Sequence, residues 1–205
     1  MAGRARGELL AVGAAVTLSL AGASAARAKV FLTQEEALRL AFPDAKVEAR
    51  NAFLTDEQRR TAKAASGEQE LPSALVRYYV ATKDGRPVGE AYFDTHVVRT
   101  ESETVMVVVM PDARIGRIEV LSFSEPEEYL PRAKWYEQFQ GKPLDDELSL
   151  KRAIRPVSGA TLTAHATTDA ARRVLAVYRV LHPAAATPTS PTPAAARAAR
   201  PGGPR

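Results

Sequence analysis

Apolar residues recur along this chain in two rhythms, one helical and one of strands. After Thr33-Gln34-Glu35-Glu36, where a hydroxyl is followed three residues later by a glutamate, Ala37, Leu38, Ala41 and Phe42 form a helical face that Pro43 ends. Thr55-Asp56-Glu57-Gln58 repeats the capping pattern and opens a second short helix toward Ser66-Gly67. From residue 75 the spacing becomes that of strands. LVRYYVA and PVGEAYFD flank Lys83-Asp84-Gly85-Arg86, and TVMVVVM and IGRIEVLSF flank Pro111-Asp112-Ala113-Arg114, which predicts two hairpins. The unbroken apolar run over 105–110 predicts a central strand buried on both faces. In its partner, Ile118, Val120 and Phe123 alternate with Arg117, Glu119 and Ser122.

Beyond the strands, Pro131 suits a helix start, Trp135 and Phe139 lie four apart on one face, and Gly141 suits the residue after the helix. A last helix is predicted to about Leu181, with Ala166, Ala170, Val174, Val177 and Leu181 as one apolar stripe. Arg172, Arg173 and Arg179 fall mostly on its other faces. After His182 the chain has only Pro, Ala, Thr, Ser, Gly and Arg, too little apolar surface to offset the entropy of ordering. The expected organisation is a signal over 1–28, a helical segment over 29–74, one domain over 75–182 and a disordered tail over 183–205. The expected fold class is α+β: a twisted, largely antiparallel sheet with packed helices, in a single domain.

Charge changes the picture once it is divided by segment. Of the net +4, residues 1–28 carry +2 and residues 183–205 carry +3, which leaves −1 for the part expected to fold. A basic surface for nucleic acid therefore has no support, and no nucleic-acid partner is expected. Arg4 and Arg6, the uncharged apolar stretch 9–23 and Ala26-Arg27-Ala28 together read as an export signal with a cleavage site; an uncleaved N-terminal anchor is the alternative. The chain has no cysteine, which excludes a thiolate nucleophile, a cysteine-ligated zinc and an iron–sulfur cluster. His96, His165 and His182 have no ligand-like spacing, so no protein-ligated transition metal is expected.

The stretch at the start of the last helix carries candidate chemistry. Ser158-Gly159-Ala160-Thr161-Leu162-Thr163 places three hydroxyls and two small residues where first-turn N–H groups lack partners and the helix dipole is positive. Such a stretch either caps an ordinary helix or receives a phosphate.

These six residues resemble the flavinylation motif of the FMN-binding domain family, written D-x-x-[ST]-G-A-[ST]-x-[ST]. That family includes the periplasmic C subunit of the sodium-translocating NADH:quinone reductase and the G subunit of the Rnf complex. YYVATKDGRPVGEAYF and VVVMPDARIGRIEVLSFSEP are similar to its paired strand–turn–strand segments, so the likeness spans about residues 75–181. The resemblance implies FMN joined through a phosphoester to Thr163, with Ser158, Gly159, Ala160, Thr161 and Leu162 around the phosphate. It also implies Glu125, in Glu125-Pro126, on a loop near the flavin. Two positions depart from the pattern: Arg155 stands where the family has an acidic residue, and Glu127-Glu128 replaces a glycine-rich loop. The implied partners are a flavin transferase that installs FMN and membrane or extracytoplasmic electron-transfer proteins. The implied role is an exported electron carrier rather than a self-contained enzyme. A flavin-bearing subunit of an extracytoplasmic reductase and a non-flavin accessory protein on the same fold are the alternatives.

Other residues receive structural readings. Trp135 is expected as a core anchor, although it could stack on a flavin, and His165 as an exposed first-turn histidine. Tyr78, Tyr79, Tyr92 and Phe93 are assigned to packing, and Asp145-Asp146-Glu147 to solvated charge.

Overall fold

The computed structural model describes residues 29–183 apart from Glu68 and Pro72; the expected signal and the tail beyond residue 183 lie outside the described residues. The elements are β1 (Lys29–Val30), α1 (Gln34–Ala41), β2 (Lys46–Phe53), α2 (Asp56–Ser66), β3 (Leu75–Lys83), β4 (Arg86–Val97), β5 (Ser102–Val109), β6 (Ile115–Phe123), α3 (Ala133–Tyr136) and α4 (Thr161–Leu181). Both predicted caps form. The Thr33 hydroxyl accepts from the Glu36 N–H while the Glu36 carboxylate accepts from the Thr33 N–H, and Thr55 and Gln58 repeat the exchange at α2.

Strands β2 to β6 make an antiparallel meander, and β1 adds to the outer side of β6 with Lys29 opposite Phe123. The described residues thus form an α+β fold on one six-stranded antiparallel sheet. Because β1 and β2 occupy opposite edges, the chain crosses the whole sheet between them, and α1 is that crossing. This corrects the expectation that 29–74 is only helical, since the segment supplies both edge strands. The reason is physical. Lys46–Phe53 pairs with β3 along its full length, but as an edge strand it is largely exposed, and its sequence KVEARNAF carries little apolar alternation.

Strand β5 is central and two-sided, as its sequence requires. Val105, Val107 and Val109 enter the core shared with α4, while Met106 and Val108 enter the core beneath α1. Gly89 lets the end of α1 lie close on β4, because a Cβ there would stand 3.1 Å from the Phe42 ring and 3.2 Å from the Val109 carbonyl oxygen. The hairpin aromatics pack as expected, Tyr78 stacked on Tyr92 at 5.4 Å and Tyr79 edge-on to Phe93 at 5.6 Å. The helix expected after Pro131 is shorter than its pattern. Four residues of α3 pass into a 3₁₀ turn at Glu137–Phe139, and Gly141 follows at φ 74°.

Helix α4 is buried on most of its faces rather than along one stripe, because it lies between the sheet and α2. Its arginines are structural. Arg172 donates to the carbonyls of Ser66, Asp145 and Leu148, tying the end of α2 and a loop to α4. Arg173 makes a two-pronged contact with Asp94 at 2.7 and 3.1 Å. Asp94 also meets His96 Nδ1 at 2.9 Å, and His96 Nε2 meets Glu103 at 3.0 Å. Glu103 has no exposed surface, and it also accepts from Thr167 of α4 and Tyr136 of α3. Two carboxylates, an imidazole and a guanidinium thus close one buried network between β4, β5 and α4.

Burial alone would lower the pKa of His96, but its hydrogen bonds to Asp94 and Glu103 and their charges outweigh burial and raise it to about 9. Burial likewise opposes ionisation of Asp94, yet the bonds from His96 and Arg173 bring it down to about 2. A raised histidine pKa adds stability that is complete below its ordinary value near 6.5 and is lost as pH climbs through 9. Chemical denaturation between pH 6 and 10 is therefore expected to show stability falling across that window. His96→Gln is expected to flatten the fall.

Candidate functional site

The motif at the head of α4 does not cap the helix. Ala160 occupies the cap position, and no side chain accepts from the first-turn N–H groups. The Thr161 hydroxyl turns back to donate to the Val157 carbonyl at 3.2 Å. Ser158 is exposed and makes no hydrogen bond among the described residues. Gly159 sits at φ +83°, where a side chain is strained, and the space beyond its missing Cβ is open. The positive end of a 21-residue helix is left facing a small hollow.

That hollow, about 250 Å³, is lined by Arg99, Tyr129 and residues 159–163. Three separate segments build it. The first is α4 with the turn before it. The second is the 3₁₀ turn Glu127–Tyr129, whose Tyr129 carbonyl accepts the Thr163 hydroxyl at 2.5 Å. Thr163 is fully buried, so its oxygen belongs to the wall of the hollow and to the packing of this turn at once. The third is the β4–β5 turn, closed by the Val98 N–H to the Glu101 carbonyl at 3.0 Å. From it the Arg99 guanidinium lies over the Tyr129 ring, 4.6 Å from its centroid.

Glu125 reaches the hollow indirectly. Its carboxylate is buried and accepts the backbone N–H groups of Thr100, Glu101 and Arg99 at 2.7, 2.9 and 3.1 Å. The Thr100 bond is the largest of the contacts that hold its pKa below the ordinary carboxylate range. Arg155 is held by its backbone: its N–H donates to Gln138 and its carbonyl accepts the Trp135 indole N–H, each at 2.7 Å. Trp135 packs edge-on to Tyr136 and Phe139, so the anchor expected from its spacing also fixes the strand of chain entering the motif. His165 is exposed and opens onto a different cleft, beside Asp169 and Arg172.

The structure therefore gathers Gly159, Ala160, Thr161, Leu162 and Thr163 at one hollow, leaves Ser158 just outside its lining, and sets Glu125 behind the turn that carries Arg99. Arg99 and Tyr129 were not foreseen. They lie 30 residues apart in loops with no shared pattern, and only folding brings them together.

The family model of the FMN-binding domain matches residues 101–176, from the start of β5 through most of α4 with the whole motif. The match starts later than residue 75, so β3, β4 and Arg99 lie outside it. No curated protein and no solved structure matches the chain. Residues 101–176 are an FMN-binding domain, and the chain is a flavin-binding protein with FMN as its cofactor. The hollow fits one end of that cofactor. It lies below the ~300–1,000 Å³ of sites that enclose a whole small molecule, and it offers free helix N–H groups, an unobstructed glycine and one cation. Those are the needs of a phosphate. No helix among the described residues is long and apolar enough to cross a membrane.

Removing the Glu125 carboxylate should loosen the β4–β5 turn without unfolding the sheet. In Glu125→Ala, amide exchange at Arg99, Thr100 and Glu101 is expected to accelerate about tenfold, in line with ~1–1.5 kcal/mol per lost bond. Exchange in β5 should stay unchanged, as hydrogen-exchange mass spectrometry or NMR would show.

Proposed function

We propose that this is an exported flavoprotein that carries FMN through a phosphoester to Thr163 and relays electrons between extracytoplasmic or membrane redox partners. The observation that carries the reading is the placement of the Thr163 hydroxyl. It stands in the first turn of α4, at the wall of a hollow whose helix N–H groups no side chain has taken. Ser158 stands beside the same turn, and the Thr161 hydroxyl, which donates to the Val157 carbonyl here, would have to turn to reach a phosphate oxygen. Export is supported by Arg4, Arg6, the apolar stretch 9–23 and the small residues at 26 and 28.

Bound at this site, FMN supplies one- and two-electron transfer. The chain's part is to hold and orient. Thr163 Oγ would form the ester as its proton is lost, with a separate transferase supplying FMN from FAD and AMP leaving. Its present bond to the Tyr129 carbonyl would then have to yield, so the turn at 127–129 moves as the ester forms. Leu162, 52% exposed at the rim, would offer an apolar surface to the bound cofactor. A covalent tether suits a compartment in which a lost flavin is not readily replaced.

Intact-protein mass of chain co-produced with a flavin transferase tests the ester. The expected result is a gain of one FMN less one water in the unaltered chain and none in Thr163→Val. An unmodified mass in both proteins would remove the covalent reading.

A further inference from the structure

We propose that Arg99 is the residue by which this chain selects the phosphate of FMN, and that Glu125 positions it. The inference rests on the reading that residues 159–163 receive the phosphate end of the cofactor. Of the seven residues that line the hollow, Arg99 is the one with a charged side chain. A phosphate entering there meets the helix N–H groups on one side and needs a cation on the other.

The other nearby basic groups are committed elsewhere or point elsewhere. Lys29 is paired with Glu127 at 2.6 Å. His165 opens onto the cleft with Asp169 and Arg172, and Arg155 is outside the lining. Arg99 has no carboxylate partner among the described residues; its side-chain contact is the face of Tyr129. A guanidinium stacked on a ring keeps its edge N–H groups free in the planar fork that matches two phosphate oxygens. Stacking also removes much of the rotamer freedom that an exposed arginine otherwise loses on binding.

The backbone beneath it is fixed with equal care. Three consecutive N–H groups, of Arg99, Thr100 and Glu101, converge on the Glu125 carboxylate, which orients the turn toward α4. Glu125 therefore acts through the backbone of Arg99 and is not itself among the residues that line the hollow. Arg99 precedes the stretch that matches the family, so this cation is supplied by the chain's own β4–β5 turn.

The test separates phosphate recognition from the ester. In the full chain carrying Thr163→Val, which cannot form the ester, FMN and riboflavin are titrated by flavin fluorescence or calorimetry with Arg99 intact and as Arg99→Gln and Arg99→Lys. With Arg99 intact, FMN is expected to bind more tightly than riboflavin. Arg99→Gln should weaken FMN about tenfold, the size of one charged hydrogen bond, and leave riboflavin unchanged. Arg99→Lys should retain part of the preference, and both variants should keep the thermal midpoint because Arg99 is exposed. Equal loss for both flavins, no loss for FMN, or no preference for FMN with Arg99 intact would each overturn the proposal. Its fate is independent of the ester. Selection by Arg99 without a mass gain would sink the covalent reading alone, and a mass gain with FMN affinity indifferent to Arg99 would sink this proposal alone.

Discussion

Glu103 places a carboxylate near the start of the central strand β5 with no access to water, and the rest of the domain is arranged around that demand. A buried carboxylate without partners costs several kcal/mol, so it recruits them: His96 from β4, Thr167 from α4 and Tyr136 from α3. His96 in turn is oriented by Asp94, and Asp94 by Arg173 of α4. Apolar packing alone lets a helix slide or rotate on a sheet at modest cost. A two-pronged arginine contact and a threonine bond to a fixed carboxylate do not. The network sets where along β4 and β5 the helix must stop, and the first turn of α4 lies one helical turn before Thr167.

The same hairpin carries both ends of this arrangement. Asp94, His96 and Glu103 lie on β4 and β5, and the turn that joins those strands presents Arg99. The network thus sets the distance between the motif on the helix and the cation on the sheet. The turn at 127–129 completes the wall, with Lys29 of β1 paired to Glu127 and Arg99 stacked on Tyr129. Thr163 sits at the junction. Its hydroxyl satisfies the Tyr129 carbonyl and forms part of the wall of the hollow at once.

Much of this was legible where the controlling interactions are local. The caps at Thr33 and Thr55 are set by residues three apart, the Asp84-Gly85 turn by its own backbone, and β5 by an apolar run that only a two-sided strand can bury. The clustering of residues 159–163 at the head of α4 was legible because they are contiguous in the chain. What escaped was set by distance. Strand β2 is an edge whose polar residues face water, so its alternation is faint. Arg172 and Arg173 could be placed only on the helix faces away from its apolar stripe, because the partners they bind are 24 to 106 residues away in the chain. Glu125 was placed near the flavin by likeness, and folding shows it buried behind the turn, serving backbone N–H groups.

Strand β4 separates two turns with different duties. At one end the β4–β5 turn belongs to the hollow, its N–H groups fixed and its arginine stacked. At the other end, roughly 40 Å away for twelve residues at about 3.3 Å each, Asp84-Gly85 turns in open space, with nothing within 4 Å of where a Gly85 side chain would begin. The domain is polarised along its strands, with the hollow at one pole and an open turn at the other. A fluorescent reporter or affinity peptide spliced into the 84–85 turn would ride on the domain while leaving the pole that holds the hollow undisturbed.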